Sequence, residues 1–265
     1  MPENVYFGVL TDKAVDPEKF YMHNHNAIEI FMFLKGDAVF NVEGNIYNLS
    51  PYDTIIVRNN EMHMVQHKSI CEYKRISLHI NQKFFEEMNC QRYLSVFFDR
   101  QWGKYNKISG QRAYQAGLYD ALMRVDKYLK LQQTPDEIVF KCAVVEVLYL
   151  INALKPDISG ESQGEKIRDI LNYINSNLTC PITLEDIASR FSLSKHYLCR
   201  MFKSSVGHTI IDYINFKRLI LVRDLCKRGF SIGEASLKAG FGSYSNFYRT
   251  YIKEYGKAPS KDLFN

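Results

Sequence analysis

Between residues 28 and 80 the apolar positions come in short β-branched and aromatic runs separated by turn formers. The runs IEIFMFL, AVFNV, IYNL, TIIVR and YKRISLHI are divided by Lys35-Gly36-Asp37, Glu43-Gly44-Asn45 and Ser50-Pro51-Tyr52-Asp53. Short strands at this spacing predict an antiparallel meander, closed as a β-barrel or jelly roll. Beyond Gln82 the period lengthens. Leu118, Leu122, Val125 and Leu129 recur at helical intervals, and 138–154 is apolar on most of its surface, so two helices are expected after the strands. The stretch 155–164 is polar and rich in helix breakers, which makes it the best linker candidate.

After that linker the chain repeats itself. Thr183-Leu184-Glu185-Asp186 is a capping-box variant, and 48 residues later Ser231-Ile232-Gly233-Glu234 carries the same device. In the helices that follow, the offset becomes 49: Ser194 matches Ser243, Leu198 matches Phe247, Arg200 matches Arg249 and Phe202 matches Tyr251. Each copy reads as a short capped helix, a tight turn and a second helix capped by Ser, which is the grammar of a helix-turn-helix. On a helical wheel Leu198, Met201 and Phe202 point inward in the first copy, with His196, Cys199, Arg200 and Lys203 outward. Phe247, Thr250 and Tyr251 point inward in the second, with Ser245, Tyr248, Arg249 and Ile252 outward. An outward Arg at matched offsets suits a bidentate bond to guanine in the major groove, whereas Lys203 suits a phosphate. Between the copies, 209–227 predicts one long helix capped by Thr209 and ended by Gly229. Such a helix would hold two recognition helices at a fixed separation, as reading adjacent major-groove segments requires.

Charge supports this division. Residues 161–265 hold 16 Lys plus Arg against 10 Asp plus Glu, whereas the rest of the chain holds 18 against 19, so the net charge of +5 originates in the last part. At 46% hydrophobic and 24% charged, the 265 residues have the composition of a soluble globular chain of about two domains. The start MPENVYFGVL lacks the pattern of a secretory signal, and Lys141 and Glu146 interrupt 138–154, so no membrane is expected. Six scattered cysteines without a C-x-x-C pair suit reduced thiols in a cytoplasm and argue against a structural zinc site.

The segment TLEDIASRFSLSKHYLCRMFKSSVGHTIIDYINFKRLILVRDL, followed by SIGEASLKAGFGSYSNFYRTYIKEYGKAPS, resembles the DNA-binding domain of the AraC/XylS family of bacterial transcription regulators. The resemblance covers about the last hundred residues. It includes Ala188, Arg200-x-Phe202-Lys203, Gly207, the Gly240-Phe241 turn and Gly256-x-x-Pro259. It implies that Lys195, His196, Cys199 and Arg200 face one groove segment and Tyr244, Ser245, Tyr248 and Arg249 the next. The chain departs from the family at Ser236, where Ala is usual, at Gly233, and at Asp262-Leu263, which replace an aromatic-Arg pair.

In the strand region His23-x-His25-x3-Glu29-x6-Gly36 resembles the first motif of cupins, with His63 where the second motif places its last ligand. Three imidazoles and a carboxylate can hold a divalent metal in an N3O shell, but a metal-free ligand pocket or a structural role is the preferred reading of His23, His25, Glu29 and His63. His67 and Arg58 are candidates by position only. Tyr6, Phe7, Phe20, Tyr21, Phe31, Phe33, Phe40, Tyr47 and Tyr52 either line that pocket or fill the core.

The expected fold is α+β. A cupin-like barrel over 1–98 senses a ligand, 99–160 supplies a helical dimerisation and linker segment, and 161–265 forms an all-α tandem helix-turn-helix domain. The expected function is that of a cytoplasmic, non-enzymatic transcription regulator with no obligatory cofactor. Its expected partners are promoter DNA, a small effector of the sugar class implied by the resemblance, RNA polymerase and a second copy of the chain. Two other readings stand beside it: a metal-dependent cupin enzyme tethered to DNA, and a DNA-binding regulator whose barrel only dimerises.

Overall fold

The computed structural model describes residues 4–14, 23–130, 137–157 and 165–263. The chain forms two compact units, Met1–Gly164 and Glu165–Asn265.

The first unit is built on β1 (Val5–Asp12), β2 (Ile28–Lys35), β3 (Ala38–Val42), β4 (Asn45–Asn48), β5 (Thr54–Val57), β6 (His63–His67), β7 (Tyr73–Ile80) and β8 (Lys107–Ile108). They pair antiparallel in two sheets, one of order β1-β7-β2-β5-β8 and one of order β4-β3-β6. The five-stranded sheet is covered on both faces. Ile28, Ile30 and Met32 of β2 join Ile56, Ile76 and Leu78 against a helical layer, while Phe31 and Phe33 join Phe40, Tyr47, Val57 and Tyr73 between the sheets. Burial on both faces explains why β2 reads as an unbroken apolar run rather than an alternating one. The β3–β4 hairpin turns on Glu43 and Gly44, both at positive φ (48° and 81°), as a two-residue loop between twisted strands requires.

β1 lies outside the strands read from the sequence. It pairs with β7 along its whole length, from Val5 opposite Ile80 to Asp12 opposite Tyr73, and its signal is the short alternation of buried Val5 and Phe7 with exposed Tyr6.

The helical layer comprises α1 (Gln82–Glu87), a 3₁₀ turn at Gln91–Leu94, α2 (Ser95–Phe98), α3 (Gly110–Gln115), α4 (Leu118–Lys130) and α5 (Glu137–Leu154). Leu118, Ala121, Leu122 and Val125 of α4 share a core with Val144, Val147, Leu148 and Ile151 of α5 and with the sheet. Most of the apolar surface that the sequence assigns to a second copy is therefore covered within one chain. Val139, Cys142 and Tyr149 of α5 stay exposed. The start of the linker candidate is pinned: Asp157 N–H donates to Lys107 O (2.7 Å), Ser109 N–H donates to Asp157 Oδ2 (2.7 Å), and Arg112 pairs with the same carboxylate. Residues 158–164 of that candidate, and Phe20 and Tyr21, lie outside the described residues.

A buried ion pair fixes the loop that carries β8. Glu61, fully buried, accepts from Arg100 Nη2 (2.6 Å) and Nη1 (2.9 Å), from the Gly103 N–H (2.7 Å) and from Asn106 Nδ2 (3.2 Å). Arg58 lies on its other side, stacked on Trp102 at 3.9 Å. Burial alone would raise the Glu61 carboxyl, but Arg100 and Arg58 hold it below the usual carboxylate range. A carboxyl whose pKa is lower in the folded than in the unfolded chain contributes stability above its unfolded pKa of about 4.3 and loses it as pH falls through the folded value. The first unit should therefore lose stability as pH drops below about 4. Glu61→Gln, which leaves Arg100 buried without its partner, should cost about 3–5 kcal/mol at neutral pH and flatten that acid limb. Urea melts followed by the fluorescence of Trp102, the single tryptophan, would check both, and an acid limb equally steep in Glu61→Gln counts against the assignment.

Candidate nucleic-acid interface and histidine cluster

The second unit is all helical: α6 (Glu165–Ser176), α7 (Leu184–Arg190), α8 (Lys195–Val206), α9 (Ile210–Lys227), α10 (Ile232–Lys238), α11 (Tyr244–Tyr255) and α12 (Pro259–Asp262). Both capping boxes close in both directions. Asp186 N–H donates to Thr183 Oγ1 while Thr183 N–H donates to Asp186 Oδ2, each at 3.1 Å, and Ser231 and Glu234 repeat the exchange at 3.3 and 3.1 Å. Ser194 and Ser243 cap α8 and α11 by accepting from the N–H groups of Tyr197 and Asn246, both at 3.2 Å. Each cap satisfies donors that a helix start leaves open and so fixes where each short helix begins.

α9 is the spine. Thr209 caps its start, and its residues serve both copies: Tyr213 meets Phe202 of α8 edge-on (5.8 Å), while Leu219, Val222 and Cys226 pack with Phe247 and Tyr251 of α11. α6 is absent from the sequence reading, although Ile167, Ile170, Leu171 and Ile174, all buried, repeat at helical spacing. Arg218 of α9 holds the loop after it, donating to Leu178 O and Cys180 O at 2.8 Å each. The turn into α11 needs Gly240: its φ is +94°, and a Cβ there would meet Leu178 O at 2.5 Å.

With Leu198, Phe202, Phe247 and Tyr251 buried, the opposite faces of α8 and α11 are left to solvent. Lys195, His196, Cys199, Arg200 and Lys203 are exposed on α8, and Tyr244, Ser245, Tyr248 and Arg249 on α11. Lys195 is paired with Glu185, and Arg249 Nε donates to Ser245 O at 3.4 Å. The departures from the family pattern are accommodated. Ser236, fully buried, donates its Oγ to Gly233 O (2.8 Å), and Asp262 accepts from Tyr251 OH (2.7 Å) and Arg223 Nη1 (3.0 Å), joining α9, α11 and α12.

In the first unit the cupin-like residues meet in part. Glu29 faces the space between the sheets, with His79 of β7 as its register partner and Ser77 beside it. Ser77 Oγ donates to Glu29 Oε1 at 2.8 Å, and His79 Nε2 lies 3.3 Å from the same oxygen. His25 Nε2 (3.1 Å) and His63 Nε2 (3.0 Å) approach Oε2, the latter without good hydrogen-bond geometry. Burial alone would raise the Glu29 carboxyl, but His25, His63 and His79 hold it well below the usual range. The His63 imidazole, lowered by burial, is raised overall by Glu29.

His23 is exposed, its ring 4.4 Å from that of His63, with which it exchanges backbone hydrogen bonds. Its place beside Glu29 is taken by His79, which the sequence motif does not flag. The register of β7 on β2 is the only thing that brings it there. His67 packs edge-on against Tyr73 (4.4 Å), and Arg58 belongs to the Glu61 network, so neither joins the cluster. Of the aromatics, Phe31, Phe33, Phe40 and Tyr47 fill the core between the sheets, Phe7 fills the sheet–helix core, and Tyr52 stacks on Tyr114 and Tyr119. Tyr6 remains at the rim, its ring 5.4 Å from that of His79.

Two capped helix pairs about one spine, each presenting the outer face of its second helix, define a tandem helix-turn-helix protein that binds DNA. The helix-turn-helix domain family matches residues 187–263. Over almost the whole chain the sequence is similar to an uncharacterised HTH-type transcriptional regulator, YdeC, of Bacillus subtilis. The two are 23% identical over 247 residues, or 90% of this chain and 84% of the relative. It is also 23% identical to the HTH-type transcriptional activator RhaS of Yersinia pestis, over 91% of this chain and 88% of that one. Among solved structures, ToxT of Vibrio cholerae aligns over 99% of this chain and 98% of its own, with 15% identity and a TM-score of 0.39. The chain thus carries a helix-turn-helix domain over 187–263 and is similar over nine-tenths of its length to transcription regulators rather than to enzymes, so the reading as a tethered metalloenzyme falls. Among the described residues no helix is long and apolar enough to cross a membrane.

Gly233 gives the second copy a specific weakness. It lies within α10, and a Cβ built on it meets nothing within 4 Å. Gly233→Ala should therefore stabilise the second unit by about 0.5–1 kcal/mol through the conformational entropy of the unfolded chain. A raised denaturant midpoint at unchanged slope is the expected readout, and an unchanged or lowered midpoint would show that α10 is held by packing alone.

Proposed function

We propose that the chain is a ligand-responsive transcription regulator in which Lys195, His196, Cys199 and Arg200 read one major-groove segment and Tyr244, Ser245, Tyr248 and Arg249 the next. Lys203 holds a phosphate. The observation that carries this is the equivalence of Arg200 and Arg249, solvent-facing at matched positions of two helices anchored by the same caps and the same spine. The first unit acts as the sensor, a cupin-like barrel in function. Its effector sits on the Glu29 cluster, where a carboxylate, imidazoles and the Tyr6 ring suit the hydroxyls and apolar face of a sugar. The regulator acts at promoters with RNA polymerase and as a homodimer, for which Val139, Cys142 and Tyr149 on α5 are the exposed face.

The 161–265 fragment should bind DNA, with an affinity that falls about 10³- to 10⁵-fold between 50 and 200 mM salt if six to ten phosphates are contacted. On an operator selected from random sequence by the full chain, Arg200→Ala and Arg249→Ala should each cost about 1–3 kcal/mol and relax preference at one position. Lys203→Ala should weaken all sequences alike. Equal losses on selected and random DNA for both Arg variants would make them phosphate clamps and sink the base-reading assignment.

For the dimer, sedimentation should give twice the chain mass at micromolar concentration, and a short bismaleimide should join the chains through Cys142. A monomer that leaves Cys142→Ser and wild type indistinguishable would rule out this face.

A further inference from the structure

The two helix-turn-helix copies are joined at a second place besides the spine. α9 meets the first copy near its start, where Tyr213 lies against Phe202, and the second near its end, where Leu219, Val222 and Cys226 pack with Phe247 and Tyr251. Apolar packing is non-directional, so it sets the distance between the copies but resists a pivot about α9 only weakly. The second joint begins with α6, which belongs to the first copy. Tyr173 meets Phe191 edge-on (6.0 Å) beneath Arg190 (4.8 Å), and Asn175 Oδ1 accepts from Tyr213 OH (3.1 Å). The chain then turns through 177–180, where Cys180 N–H donates to Asn177 O (2.9 Å), and reaches the other copy. Leu178 O sits there against the turn between α10 and α11: a Cβ built on Gly240 would lie 2.5 Å from Leu178 O, 3.0 Å from Arg218 Nε and 3.1 Å from the Thr179 carbonyl carbon.

Arg218 makes this joint directional. Nε and Nη2 of one planar guanidinium donate to Leu178 O and Cys180 O, both at 2.8 Å, so the loop can neither slide nor rotate without losing a charge-assisted bond. The turn held by the loop moves with the start of α11. Phe241 N–H donates to Ser236 O (3.1 Å), its ring is buried edge-on against Phe247 (5.5 Å), and Ser243 caps the helix two residues later. Any shift of the Gly240 turn is therefore a shift of Tyr244, Ser245, Tyr248 and Arg249 as a group, while Lys195 to Arg200 on α8 stay with the first copy and α6.

We propose that Arg218 is a positioning residue for DNA reading: by tying the 177–180 loop against the Gly240 turn it fixes the angle of α11 to α8, and with it the spacing between groove segments that the chain accepts. Arg218 touches no base in this account and acts only through the loop and the turn. The inference rests on the reading of α8 and α11 as two recognition helices. It adds that their mutual orientation is held by α6 and its loop as well as by the spine.

The test uses the full chain and an operator that it selects from random sequence, with one base pair inserted or removed between the two segments, which turns them by roughly 35° and shifts them by about 3.4 Å relative to each other. Wild type should lose about tenfold or more for either change, the scale of a badly met base pair. Arg218→Ala should bind the selected operator about tenfold more weakly, relax base preference only at the positions under α11, and lose less than about threefold further when the spacer changes. Arg218→Lys keeps the charge without the planar fork and should fall between the two. A role in stability alone would lower the melting temperature and weaken both segments together with the spacer penalty intact, and that result overturns the proposal, as does a wild type indifferent to the spacer. If Arg218→Ala does not fold, the series is run on Arg218→Lys, where a reduced penalty supports the proposal and an undiminished one overturns it. Equal losses on selected and random DNA for Arg200→Ala and Arg249→Ala would remove the recognition reading and this inference with it. Segment-specific losses in those variants, with an unchanged spacer penalty in Arg218→Ala, would remove the positioning role alone.

Discussion

Everything in the first unit follows from covering β2 on both faces. From Ile28 to Phe33 its even-numbered side chains are buried against the helical layer and its odd-numbered ones between the sheets, so that stretch has no solvent side on which a polar residue could rest. Glu29 sits on the inner face regardless, and a carboxylate there needs compensation from every neighbour within reach. The neighbours are imidazoles from the preceding segment, from β6 and from β7, plus Ser77. The cluster is thus a consequence of the layering as much as of the motif. The same layering makes it a place where ligand chemistry and the stability of the unit are coupled.

The second unit meets the opposite problem, too little core for helices of seven and twelve residues to stand alone. Its solution is repetition. α7, α8, α10 and α11 are each started by a Ser or Thr hydroxyl cap, and one 18-residue helix lends its two faces to both copies. The outer faces of α8 and α11 consequently remain exposed to solvent. Asp262, which breaks the family pattern, fastens α12 back to the spine through Tyr251 and Arg223, so a departure in sequence becomes an alternative tie rather than a loss.

Much of this was legible without coordinates because it is local. Capping boxes are decided within four residues and amphipathic faces within two turns, so the tandem repeat, its outward Arg pair and the long connecting helix could be read from spacing alone. α6 carries the same kind of local signal in the spacing of Ile167, Ile170, Leu171 and Ile174. β1 is different: its short alternation acquires meaning only when β7 lies beside it, since strand pairing is a contact between residues about 70 positions apart.

The sequence by itself determined the strands β2 to β5 and β7, the helices α4 and α5, the basic tandem domain and the presence of a His/Glu motif in the strand region, all properties of neighbouring residues. Only the tertiary structure decided that α4 and α5 spend their apolar faces on the sheet of their own chain. Only it, too, decided that the fourth group around Glu29 is His79 rather than His23. Both outcomes depend on register. A shift of one residue between β2 and β7 would send His79 to the opposite face, and no local pattern in either strand records which pairing minimises the cost of burying that carboxylate.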